Sequence, residues 1–361
     1  MKGFLMHNRI YVDTIDYLRG LLALTIMIYH YLSWSGLIIV NSNNLLFRFA
    51  LYGVSIFFII SGFSITIAHI NDNFLKIENI LYFFKKRFAR IYPLFIFVII
   101  FSIIINYRDV NSIRDLLINL TISFGFLHYD SLTPGSWSIG IEVIWYIIFP
   151  IIFTIYYILQ KFNFKFFVLV SILIILLCIY SSSFVNDYYR GMGIKYFYVY
   201  KNNFINHIYF FIFGVMIAFV YYRYIKFLTK NSFISFMNKY KLIILIIILF
   251  LFYFPKLKLN EYFFPLTEWN RIYFSFFSFL LFLVFLLLDF KSNILKFFGQ
   301  ISYTLYLTHP ISLFVFSEFF KIGINYFNIL LPILFSILFS TIIYYFYEKP
   351  MQKLINNLRI D

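Results

Sequence analysis

Residues 14–35 read TIDYLRGLLALTIMIYHYLSWS, an apolar run broken by Asp16, Arg19 and His30. As a helix these 22 residues would rise about 33 Å. A hydrocarbon layer is roughly 30 Å thick, so the run can cross one. Ionisable side chains at such depth are costly and tend to mark a pathway or a site. Arg19 and His30 are 11 residues apart, so they share one helical face with an axial separation of about 16 Å. Asp16 lies one turn before Arg19 and is placed to pair with it. Asp16 and Arg19 can equally anchor a helix end, with His30 an interior hydrogen-bonded residue. That second reading gives no reason for an imidazole in line with a cation.

Further runs of this kind lie near 46–69, 91–107, 138–160, 165–183, 205–224, 240–255, 271–289, 299–317 and 328–347. With 62% hydrophobic and 12% charged residues in a chain of 361, a soluble core could not hide so much apolar surface. The expected fold is an all-α, polytopic transmembrane bundle of about ten spans, a single domain over residues 1–361. A net charge of +15 in a soluble protein would suggest nucleic acid. Here Lys and Arg sit in short loops between apolar runs, as in cytoplasmic loops, and no nucleic-acid partner is expected. The ten-span reading puts 19 basic residues on the side of the termini and 10 on the other, which makes both termini cytoplasmic. Loops with Arg87, Lys161, Lys226 and Lys291 then face the cytoplasm, and those with Asp130, Asp187 and Lys258 face outward.

Leu116 to Leu127 is apolar but short, and reads as re-entrant or packed beside the bundle. The lone Cys178 can form no internal disulfide. The polar start leads into a full-length apolar segment, so no cleavable signal peptide is expected.

Other residues at membrane depth invite the same question. Gly53 to Phe63 is rich in small residues, which let helices approach closely, and packing is its simplest role. Arg87 and Arg90 stand one turn apart at the end of a basic loop, Lys85-Lys86-Arg87-Phe88-Ala89-Arg90-Ile91-Tyr92-Pro93. They are either a topology anchor or a bidentate clamp for phosphate. Glu142 is more than one turn inside the run opened by Trp137 and needs a cavity or a partner. Ser302, Tyr306 and His309 share a helical face. His309 is a second candidate base or a hydrogen-bonded neighbour of Pro310, whose ring frees a carbonyl, and the structural role is preferred. Ser340, Tyr344 and Glu348 recur every four residues, bringing Glu348 to the cytoplasmic edge beside basic residues.

Together and in order, these strings resemble the acyltransferase-3 family of bacterial membrane acyltransferases. The resemblance rests on Asp16-x-Leu18-Arg19-Gly20 followed by His30, Gly53 to Phe63, and Arg87-x-x-Arg90-Ile91-x-Pro93. It continues with Trp137-Ser138-x-x-x-Glu142 leading to Phe149-Pro150, Gly299 to His309, and Tyr344-x-x-x-Glu348-x-Pro350. Residues 160–295 carry little of it. The resemblance implies an enzyme of roughly ten helices in the bacterial cytoplasmic membrane. Such an enzyme takes an acyl group, usually acetyl from cytoplasmic acetyl-CoA, to a hydroxyl of a surface glycan or its lipid-linked precursor. The stand-alone type, without an extracytoplasmic esterase-like domain, is the expected one.

On that reading Arg19, Arg87 and Arg90 bind the acetyl-CoA phosphates. The roughly 16 Å from Arg19 to His30 is of the order of the pantetheine arm. His30 is then the general base, with a covalent acyl-imidazole as the competing route. Glu142 positions the acceptor or tunes the imidazole. No metal is expected. A glycolipid or solute transporter, its pathway lined by the same charges, is the rival, though the chain lacks the two matching halves many transporters show.

Overall fold

Every apolar run read from the sequence contains a helix in the computed structural model, which describes residues 12–38, 43–107, 112–127, 131–189, 203–228, 232–254 and 268–358. Among the described residues the regular structure is helical throughout. The helices are α1 (Asp13–Trp34), α2 (Leu45–Ala68), α3 (Ile77–Ile104), α4 (Ile113–Leu120), α5 (Phe124–Leu127), α6 (Trp137–Phe162) and α7 (Phe164–Tyr189). They continue with α8 (Ile208–Leu228), α9 (Ser232–Lys239), α10 (Lys241–Tyr253), α11 (Glu268–Leu287), α12 (Asn293–Phe320) and α13 (Leu330–Ile343). A π-helical turn, Tyr344–Glu348, joins α13 to α14 (Lys349–Asn357). Asp130 and Lys258, expected in outer loops, and both extreme termini lie outside the described residues.

Six of these helical stretches are long and apolar enough to cross a membrane, so the protein is a membrane protein. Helices α1 and α12 are also long enough, but polar residues at the site lower their hydropathy. Leu116 to Leu127 falls in two short helices, one of eight residues that starts at Ile113 and one of four, both far short of a span. The second packs on α6, with Gly125 against the backbone of Gly140. The basic string 85–93 differs from its reading as a loop. It lies inside α3, which starts at Ile77 and runs through Pro93. Arg87 and Arg90 are therefore held by a continuous helix.

Two close crossings set the positions of the site helices. A Cβ on Gly20 of α1 would stand 2.6 Å from the backbone nitrogen of Gly299 on α12, and one on Gly299 would stand 2.6 Å from the Asp16 carbonyl. Only residues without a side chain allow this approach, which in lipid supplies much of the packing energy. Farther along, Ala23 and Met27 pack with Leu305, and Tyr31 reaches the backbone of His309. The contacts advance in the same direction on both helices, so α1 and α12 run parallel.

The second crossing joins α2 to α8. A Cβ on Gly62 would fall 2.2 Å from the Phe211 carbonyl, and one on Gly214 equally close to that of Ile59. The small-residue run of α2 thus serves packing, as its composition suggests. Two other buried cations are structural. Arg48 donates to the carbonyls of Phe252 (3.0 Å) and Tyr253 (2.7 Å), closing the C-terminal end of α10. Arg271 donates to the Asn206 carbonyl at 2.5 Å and to the Tyr209 hydroxyl at 3.2 Å.

Candidate active site

Helices α1, α2, α3, α6 and α12 enclose a cavity of about 130 Å³. Arg19, Arg87, Arg90, Glu142, Ser302 and Tyr306 all line it, so six residues singled out in the sequence, from four different helices, converge there. Ser61, Ser64, Ser138, Tyr146 and Tyr303 complete its polar wall.

The three arginines differ in their company. Arg19 is paired with Asp16, as the one-turn spacing suggested. Arg90 donates to Glu348 Oε1 at 2.7 Å. Glu348 is 1% exposed and also accepts from the Thr304 hydroxyl and from Gln352 Nε2 (2.8 Å). Its carboxylate is thus compensated on every side, as a buried charge must be. The π-helical turn that ends at Glu348 aims it at this cluster, and such turns recur at functional positions. Arg87 is in no ion pair among the described residues and lies against the rings of Phe83 and Tyr146. The Nε–H groups of Arg19 and Arg87 are buried and reach no acceptor among the described residues. Buried donors without partners are uncommon and call for an occupant. Two guanidinium groups ask for an anion.

Glu142 accepts from the hydroxyls of Ser61 and Tyr146. Tyr146 lies one turn farther along α6, so that bond is an i,i+4 pair the sequence displays. Ser61 comes from α2, and no local pattern announces it. The Glu142 carboxylate sits at the arginine end of the site rather than against the His30 ring.

The imidazoles lie outside the cavity lining, next to it. Tyr306, whose ring lines the cavity, stands 6.2 Å from the His309 ring and is fixed by hydrogen bonds with Ser138 and the Gly135 carbonyl, each 3.0 Å. His30 Nδ1 and His309 Nε2 are 2.8 Å apart, with ring planes 11° from parallel. Trp34, one turn beyond His30, lies parallel to its ring at 4.6 Å between centroids. His309 Nδ1 meets the Tyr306 carbonyl at 2.8 Å. The hydrogen bond expected of His309 beside Pro310 is therefore present, and the same ring also touches His30. Tyr31 donates to the His309 carbonyl at 2.7 Å, tying α1 to α12 at this level. Among the described residues Ser302 bonds only its own helix, at the Gly299 carbonyl (2.8 Å).

Outside the spans, His69 closes α2 with Nδ1 at 2.6 Å from Asp72. Burial holds its imidazole below the usual histidine range, while the Asp72 carboxylate opposes that shift.

The membrane bundle thus holds a buried imidazole pair beside an arginine-lined cavity. The chain belongs to the acyltransferase-3 family, whose profile, described as an acyltransferase domain, matches residues 12–347. It is also similar to an uncharacterised protein of Haemophilus influenzae, 33% identical over 159 residues, which covers 38% of this chain and 62% of that protein. The chain thus spans about three fifths of that relative's length. No solved structure matches it.

Proposed function

We propose that this acyltransferase moves an acetyl group from cytoplasmic acetyl-CoA to a hydroxyl of a surface polysaccharide or its lipid-linked precursor. The protein would act in the bacterial cytoplasmic membrane as one domain of about ten spans, both termini cytoplasmic. The parallel course of α1 and α12, the first and ninth of those spans, supports this arrangement. The observation that carries the reading is the pair of unpartnered guanidinium N–H groups of Arg19 and Arg87 in one cavity, with His30 on the same helix as Arg19.

The donor phosphates bind at the arginine end, and the thioester extends toward the imidazoles. His30 takes the proton of the acceptor hydroxyl as its oxygen attacks the thioester carbonyl. The C–S bond breaks, and the CoA sulfur leaves with the proton that His30 returns. Glu142 orients the acceptor through the hydroxyl groups it holds. The experiment is to follow release of free CoA from acetyl-CoA by purified protein, with and without surface polysaccharide from the host. Acceptor-dependent thiol release is expected. Binding without thiol release under any condition would favour a transporter.

A further inference from the structure

We propose that Pro310 and His309 are positioning residues that fix the His30 imidazole in one tautomer and leave its Nε2 as the proton acceptor. This rests on His30 being the base.

The argument starts from a missing hydrogen. In an α-helix each N–H bonds to the carbonyl four residues back. Pro310 lies inside α12 and has no N–H, so the Tyr306 carbonyl loses its helical donor. That stretch of helix is buried from Leu305 to Ser312, and a buried carbonyl must find another partner. It finds the His309 side chain, whose Nδ1 is 2.8 Å away, with the Leu305 carbonyl at 3.3 Å as a second neighbour. Carbonyl oxygens only accept, so the proton of that ring is on Nδ1.

The other nitrogen follows from the first. His309 is fully buried, and among the described residues no carboxylate is a hydrogen-bond partner of it. A cation there would be uncompensated, so the ring is neutral and Nε2 carries a lone pair. The atom facing that lone pair at 2.8 Å is His30 Nδ1, which must therefore donate. His30 Nε2 is left with its own lone pair, free to take a proton. The two ring planes are 11° apart, which keeps the shared hydrogen in line with the lone pair it meets.

Three residues hold this geometry. Tyr31 follows His30 on α1 and donates to the His309 carbonyl at 2.7 Å, as Ser312 does at 3.0 Å. Trp34 lies parallel to both imidazoles, 8° from one and 6° from the other, so neither ring turns freely about its bond to Cβ. The logic matches that by which a fixed acceptor orients a catalytic imidazole in hydrolytic triads, here with a proline-set histidine in place of a carboxylate.

Two substitutions separate orientation from packing. His309→Gln offers an amide oxygen to His30 Nδ1–H and an amide N–H to the Tyr306 carbonyl. His309→Phe fills the space and offers neither. Thiol release from acetyl-CoA with acceptor present should fall less than about tenfold in kcat for His309→Gln. For His309→Phe it should fall on the order of 10²-fold or more, with KM for acetyl-CoA unchanged in both. Pro310→Ala restores a donor for the Tyr306 carbonyl and competes with His309. Nitrogen-15 spectra of labelled histidine in detergent should then show His30 losing its single-tautomer signature. Near-normal kcat for His309→Phe, equal losses for Phe and Gln, or an unchanged His30 spectrum in Pro310→Ala would overturn the proposal. Full activity of His30→Ala would instead overturn the base assignment on which it rests.

Discussion

Replacing Arg87 by alanine is the sharpest test of the donor site. Arg90 is engaged by Glu348 and Arg19 by Asp16, so Arg87 is the cavity arginine with its charge least committed. A hydrogen bond to a charged partner contributes about 1.5–3 kcal/mol. At about 1.4 kcal/mol per tenfold, Arg87→Ala should weaken acetyl-CoA binding by roughly 10- to 150-fold. Lys85→Ala and Lys86→Ala are the controls. Lys85 donates to the Asn356 carbonyl at 3.0 Å and Lys86 lies over the Tyr82 ring, so neither belongs to the cavity. Both should bind within about twofold of wild type, as expected of charges that do not line the cavity. The assay is titration calorimetry in detergent, repeated at two salt concentrations. Arg90→Ala is a poorer probe, because it strands the buried Glu348 carboxylate, a loss of about 3–5 kcal/mol that would first appear as unfolding. If Arg87→Ala binds acetyl-CoA like wild type, or if all the basic residues contribute equally and little, the cavity is not the phosphate site.

His30→Ala should insert and bind acetyl-CoA but lose roughly 10²–10⁴-fold in transfer rate. Incubating wild type with radiolabelled acetyl-CoA and no acceptor tests the route, since label retained on His30 would reveal an acyl-imidazole and exclude direct transfer. Gly62→Val should lower the melting temperature, because the Phe211 carbonyl must move and overpacking costs about 1–3 kcal/mol. An unchanged melt would mean that α2 and α8 are not in this contact. In a Cys178→Ser background, cysteines at Lys161 and Lys291 should label from the cytoplasm and one at Asp130 from outside. Labelling of all three from one side would refute the ten-span topology.

What the sequence discloses here is what lies along one helix. Asp16, Arg19 and His30 share a face because 3.6-residue periodicity is local, and their alignment survives in α1. The same rule makes Tyr146 visible as the neighbour of Glu142. It cannot show that Ser61 closes the carboxylate from α2, that Glu348 returns 258 residues later to Arg90, or that Gly20 meets Gly299. Those contacts depend on which helices adjoin, and small residues in lipid specify closeness without naming the neighbour. His309 lies between the two cases. Pro310 announces a freed carbonyl from sequence alone, but nothing local says that the ring taking it also faces His30.

The two helices that carry the imidazoles count residues in step. Gly20 to His30 and Gly299 to His309 are each ten positions, and the pairs meet at both ends of the interval. Deleting one residue inside either interval would rotate its histidine by about 100° and draw it back about 1.5 Å. Each pair would then lose its register with the other. A matched deletion in the second helix would restore the axial level but not the contact, because both rings would turn the same way about parallel axes. The spacing of α1 is therefore free to vary only together with that of α12 and only by nearly whole turns, so a designer who lengthens or shortens this site must edit both segments by about seven residues at once.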